Sequence, residues 1–252
     1  MDKEVKKMDF KGIFYNQLSV DYNLSVDDIL SYKNIYTLNK RLKGRSRYEW
    51  DDTALLKICE VNNKFIMCSY NEELLERLKK AFDYINPGFI GSYHFLEALS
   101  NILKDYNEKI CDIHHYYIPF EKRDIPTDLE IRFFEKEDLY QFKRDERFKN
   151  ALEFSVRRPD MLGVGLYKNN EIAALAAASA DSDTMWQIGI NVNPAFRNMR
   201  VGAASVNILK NEIIKRGILP FYGTVESHIA SSNIALKCGF RPFYWRLYTK
   251  KI

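Results

Sequence analysis

Four cysteines, four histidines and three tryptophans are all that 252 residues contain of those types. Cys59, Cys68, Cys111 and Cys238 form no CxxC pair and stand in apolar or strand-like settings. They read as buried free thiols of a reducing compartment. His114 and His115 are adjacent, so on a strand they face opposite ways. With no companion Cys or Asp pattern, no metal is expected. No run of about 18 apolar residues occurs, so no membrane-spanning helix is expected. The start, MDKEVKKMDF, has no apolar leader core, so a signal peptide is not expected and the reading is cytoplasmic. Neither charge dominates: Lys plus Arg is 38, Asp plus Glu 34, and the net charge +4. That permits an anionic ligand but lacks the clustered basic face of a nucleic-acid binder. The one basic run, Lys40 to Arg47 (KRLKGRSR), reads as a solvated loop or helix end. DYNLSVDD lacks the ligand spacing of a calcium loop, and GVG at 163–165 is too short for a nucleotide fingerprint. There is no internal repeat and no low-complexity tract.

What remains is an ordinary globular profile, 46% hydrophobic and 29% charged, whose length leans towards two domains. FKGIFYNQLSVDY puts Phe10, Phe14 and Leu18 on one helical face, and Ser25 suits an N-cap before Asp27 and Asp28. ALLKICEVNNKFIMCSY predicts a hairpin about Asn62–Asn63. NEELLERLKKAFDYI is strongly periodic, with Leu74, Leu75, Leu78 and Phe82 inward, and a second helix, SYHFLEALSNILKDY, precedes the strand ICDIHHYYIPF. EKRDIPTD, Glu121 to Asp128, is polar, contains proline and lacks an apolar period. It sets a boundary between a smaller α/β domain, 1–125, and a second domain, 126–252.

The second domain reads β-α-α-β-β-β-α-β-α-β. The strand LEIRFF comes first, then helical stretches through EDLYQFKRDERFKNALEFSVRRP. GVGLYKN and EIAALAAASAD are strands about the turn Lys168–Asn169–Asn170, and TMWQIGINV is the next strand. A turn then crowds Arg197, Arg200 and Gly202 together, with Asn198, Met199, Val201 and Ala203 about them, and a long helix follows. A helix N-terminus leaves its first amides unpaired and carries partial positive charge, so it holds phosphate well. Gly202 removes a side chain, and Arg197 and Arg200 add charge-assisted donors. The strand PFYGTVES, the short helix SSNIALKCG and the strand RPFYWRLYTK complete the order.

That order, with Val192, Pro194 and Phe196 before RNMRVG and Gly239–Phe240 after the short helix, resembles the GCN5-related N-acetyltransferase (GNAT) superfamily. The resemblance covers roughly 128–252. It departs at Arg200, where the family usually has the first glycine of its pyrophosphate loop. It implies an α/β (α+β) fold: a mixed, mostly antiparallel sheet flanked by helices. It implies acetyl-CoA as cosubstrate, with pyrophosphate on the amides from Asn198 to Ala203. It also implies that the fourth and fifth strands splay, so that pantetheine pairs with the edge at Ile190, Asn191 and Val192. His228 stands where the family often has a cofactor-binding Asn, and Ser231 is a further polar contact.

Acetyl transfer needs an amine that loses its proton, donors for an oxyanion and a leaving thiolate. The family's usual groups are missing: Trp186, Gln187 and Ile188 hold no carboxylate, and Ala235 replaces the tyrosine four residues before the GF glycine. The remaining candidates are Glu226, His228 and Tyr222. Glu226 and His228 point the same way if the strand persists. The leading reading is an N-acetyltransferase acting on a small-molecule amine without metal, membrane or nucleic acid. The alternatives are a non-catalytic acyl-CoA-binding module, or an interaction protein in which Arg200 blocks a vestigial anion site. Residues 1–125 carry no nameable chemistry and suit a lid, a substrate wall or a homodimer surface.

Overall fold

A computed structural model describes residues 8–252. Met1–Lys7, where the sequence shows no apolar leader, lie outside the described residues. The chain begins with α1 (Phe10–Tyr22) and α2 (Val26–Leu30). Ser25 caps α2 in a full capping box with Asp28. Strand β1 (Ile35–Leu38), the short α3 (Trp50–Thr53) and the hairpin β2 (Leu56–Val61)–β3 (Lys64–Ser69) follow. Asn62 and Asn63, at φ 53° and 57°, close the hairpin in the left-handed geometry that matches strand twist. The next elements are α4 (Glu72–Phe82), α5 (Tyr93–Lys104) and β4 (Glu108–Pro119). Then come β5 (Glu130–Glu135), α6 (Lys136–Leu139), β6 (Asp160–Lys168), β7 (Glu171–Ala180) and β8 (Met185–Val192). The chain ends with α7 (Val201–Lys215), β9 (Leu219–Thr224), α8 (Ile229–Lys237) and β10 (Phe240–Lys251).

Two compact units interleave along this order. The first holds residues up to Phe14, Tyr117–Gly223 and Ile229–Arg241. The second holds Tyr15–Tyr116, Thr224–His228 and Pro242–Ile252. The sequence cuts the chain once, at 125–126, whereas the units change over at 116–117 and exchange three further segments. In the first unit the strand order is β9-β8-β7-β6-β5, with β8 parallel to β9 and the other pairs antiparallel. In the second it is β1-β3-β2-β10-β4, with α4 and α5 contributing Leu74, Leu78, Leu99 and Leu103 to a core shared with Ile58, Met67 and Leu247.

The alanine-rich β7 is buried throughout after Glu171. Ala174, Ala176 and Ala178 share a core with Val206, Leu209 and Ile213 of α7, and Leu175 and Ala177 pack with Phe134, Leu139 and Phe148. Small side chains let a helix and a second layer close on the same strand.

Three expectations need correction. The helical stretches through 137–159 reduce to α6, two 3₁₀ turns (Tyr140–Phe142 and Glu146–Phe148) and irregular chain. Side chains elsewhere take the amides of that segment and compete with a helix. Cys111 is half-buried, unlike the other three thiols, though all four are free. β9 ends at Thr224, so Glu226 and His228 do not continue its alternation; they lie in a turn where the His228 N–H donates to Val225 C=O at 3.1 Å.

Candidate active site

The turn before α7 is built from two left-handed residues, Asn198 at φ 66° and Arg200 at φ 60°. Arg200 is the N-cap, and its carbonyl accepts the first helical bond from Ala204 N–H at 3.0 Å. The amides of Val201, Gly202 and Ala203 therefore precede the helical ladder and point out of the N-terminus. Arg197, Asn198, Met199 and Arg200 are all exposed around them. The departure at Arg200 has a backbone meaning: the position needs a positive φ, which glycine adopts freely and arginine at a cost.

Gly202 is buried, and a Cβ there would sit 2.9 Å from Val192 Cγ2 and 3.2 Å from Ile234 Cδ1. Its first requirement is thus the packing of α7 on β8 and α8. A bulky residue at 202 would disturb folding as well as any ligand.

β8 supplies the second half of the site. Its parallel ladder with β9 runs from Met185↔Leu219 to Ile188↔Tyr222, and among the described residues goes no farther. Gly189 to Val192 keep their pairing with β7 alone. Asn193 N–H donates to Ala173 C=O at 2.9 Å. Alternation along the strand then turns the backbone of Asn191 towards β7, and that of Ile190 and Val192 towards the open side. Ile190 and Val192 offer the free edge; Asn191 offers a side chain, whose Oδ1 accepts Asn150 N–H at 2.9 Å and Ala151 N–H at 2.8 Å.

Tyr222 is buried, with its hydroxyl 2.8 Å from Ser231 Oγ, so each engages the other. Burial pushes the Tyr222 phenol up to about 12, against a smaller lowering by Ser231. Ala235 is fully buried in the core, which explains why a small residue replaces a phenol there. Gly239, at φ 79°, ends α8 as a left-handed cap, and a Cβ there would meet Glu121 C=O at 2.3 Å. Its carbonyl accepts Phe120 N–H at 2.9 Å and Glu121 N–H at 3.0 Å, so the GF motif is a crossing of two backbones.

Glu226 and His228 belong to the second unit. Glu226 Oε1 lies 2.9 Å from His115 Nε2, a partner from β4 that sequence reasoning set aside because it weighed the His114–His115 pair only as metal ligands. The course of 148–154 was also missed, since Asn191, which takes the Asn150 and Ala151 amides, lies about 40 residues away in sequence.

Residues 124–240 match the model of the Acetyltransferase (GNAT) family. They are a GNAT acetyltransferase domain. Similar solved structures include a GCN5-related N-acetyltransferase-like protein from Streptococcus suis 89/1591, at 10% identity, covering 82% of this chain and 89% of that one with a TM-score of 0.47. A GCN5-related N-acetyltransferase from Kribbella flavida is 16% identical over 61% of this chain and 63% of its own, at 0.46. A GNAT-family protein from Novosphingobium aromaticivorans DSM 12444 is 13% identical over 58% and 68%, at 0.41. No curated protein matches the sequence. The GNAT domain contains the turn, the β8 edge and the Tyr222–Ser231 pair; it also spans Glu226 and His228 in sequence.

Proposed function

We propose that the GNAT domain transfers an acetyl group from acetyl-CoA to the amine of a small molecule, by direct attack in a ternary complex. One observation carries this reading: the open amides of Val201, Gly202 and Ala203 occur in the same compact unit as the free β8 edge at Ile190 and Val192. Amides at a helix N-terminus, flanked by Arg197 and Arg200, suit a pyrophosphate. A free strand edge suits an extended arm that carries amides, such as pantetheine. These donors fit the cosubstrate that the family uses, which supplies the acyl group as a thioester.

The chain's own residues bind, orient and move protons. An N–H at the open β8 edge suits the developing oxyanion. The amine must shed its proton before attack, and Glu226 and His228 stay our candidates for that step by residue type alone. Tyr222, whose phenol is pushed up to about 12, is assigned as a neutral donor. Four free cysteines fit a cytoplasmic setting.

The test is calorimetric titration with acetyl-CoA and with CoA, on the native protein and on Arg197→Glu, followed by turnover with a panel of small amines. Arg197 is exposed, so its reversal leaves the core intact. Native binding weakened roughly tenfold by the variant, with turnover of an amine, is expected. Binding without turnover of any amine favours the second reading, a non-catalytic acyl-CoA-binding module. That reading draws on Gln187 and Ala235, which stand where acid–base groups usually are. No native binding defeats both.

A further inference from the structure

The stretch of β8 that offers the free edge has lost support on one side. A strand paired on both sides is held by two ladders; Gly189 to Val192 have one. What stiffens them lies on a sheet face. Gly189 and Asn191 share that face, being two residues apart on a strand. Asn191 Oδ1 accepts two consecutive backbone amides, Asn150 N–H at 2.9 Å and Ala151 N–H at 2.8 Å. Beside it, a Cβ on Gly189 would stand 2.3 Å from Asn150 C=O and 3.0 Å from Ala151 Cα. Backbone thus lies directly on the strand, with glycine making the room and asparagine the bonds.

The strap itself is fixed from several directions. Phe148, Ala151 and Leu152 are buried in the cluster with Leu175 and Ala177 of β7. Phe154 N–H donates to Asp160 Oδ2 at 2.8 Å. The segment has no regular secondary structure after the turn at Glu146–Phe148, so these anchors define its course. β8 therefore leans on an element tied to the neighbouring strands β6 and β7.

We propose that Asn191, with Gly189 beneath the same strap, is a positioning residue for cofactor binding: it holds the unpaired stretch of β8 in the extended course that presents Ile190 and Val192 to the pantetheine arm. This rests on the acetyl-CoA reading above. The residue touches no cofactor; it acts through the strand on which it stands. The amides of Val201 to Ala203, which receive the pyrophosphate, lie on α7, which among the described residues the strap does not bond and which rests on Ile234 of α8 as well as on Val192. The two parts of the cofactor are thereby separable in an experiment.

The experiment compares CoA with ADP, which carries adenosine and a pyrophosphate but no pantetheine. Both are titrated calorimetrically into native protein, Asn191→Ala, Asn191→Asp and Gly189→Ala. Asn191→Ala is expected to lose roughly tenfold or more in CoA affinity, the scale of one or two hydrogen bonds, while ADP affinity holds. Asn191→Asp keeps an acceptor for both amides and is expected to retain CoA. Gly189→Ala pushes the strap outward and is expected to repeat the selective loss. Unchanged CoA affinity in Asn191→Ala overturns the proposal, as does an equal loss of CoA and ADP. If Asn191→Ala fails to fold, Asn191→Asp and Gly189→Ala decide: loss of CoA in the first, or parallel loss of both ligands in the second, overturns it. Native protein that binds neither ligand overturns the acetyl-CoA reading itself, a different result from native binding that the variants leave untouched.

Discussion

Arg200 sits at φ 60° with its side chain exposed. A left-handed backbone costs an L-residue about 1–2 kcal/mol, and glycine escapes that cost. Arg200→Gly is expected to raise unfolding stability by about 1 kcal/mol in denaturant titration, offset in part by the entropy glycine adds to the unfolded chain. On the pyrophosphate role proposed for this turn it also removes a donor, so CoA affinity should fall as stability rises. Asp160 gives a second residue-scale expectation. Burial raises its carboxyl from 3.8 to about 6, beside Glu153 and against the lowering effects of Arg158 and of the Phe154 and Glu153 amides. A native state that holds the proton more tightly than the unfolded chain is favoured at low pH. This contribution is present below pH 3.8 and is lost as pH rises through 6, by about 3 kcal/mol in total. Asp160→Asn should flatten the stability profile between pH 4 and 7, as measured by chemical unfolding across that range.

At the scale of elements, β7 is buried along all but its first residue. Ala176 lies opposite Ile190 on β8 and belongs to the core that α7 covers. Ala176→Leu should cost about 1–3 kcal/mol by overpacking, visible as a lower Tm. The hairpin at Asn62–Asn63 and the helices with leucines in phase were legible from the sequence, because local turn chemistry and periodicity determine them. The segment 137–159 was not. Its apolar residues suggested helices, but Asp160 claims the Phe154 amide and Asn191 claims those of Asn150 and Ala151 from about 40 residues away, which no window of neighbouring residues contains. The turn at 197–203 was legible as a turn into a helix, whereas the packing role of Gly202 depends on Val192 and Ile234. Glu226 was legible as a candidate; its partner His115, 111 residues away, was not.

At the scale of the whole molecule, three buried lysines have a common use. Lys57 Nζ donates to Asp21 C=O near the end of α1, Lys64 Nζ to Ser31 C=O after α2, and Lys210 Nζ to Cys238 C=O after α8. Each ammonium meets the negative end of a helix, which helps it to remain inside. The interleaved units bear on truncation. A fragment of 126–252 lacks Tyr117, which belongs to the core of the first unit, and carries β10 residues Pro242–Lys251 without the β2 that pairs with them. It should show poor amide dispersion by NMR where the full chain is well dispersed; a folded fragment would favour the single cut at 125–126.

Strand β10 meets β2 through Trp245↔Glu60 and Tyr248↔Lys57, and Leu56 N–H reaches Thr249 Oγ1 across 193 residues. Closing so long a loop precedes the reward of the contacts it brings, so this pairing belongs late in folding. During synthesis, β2 waits with one edge bare and with Leu56, Ile58 and Cys59 beside it until almost all of the rest has emerged. The nascent chain, rather than the finished enzyme, is where this protein is most open to aggregation, and where a chaperone would have most to shield.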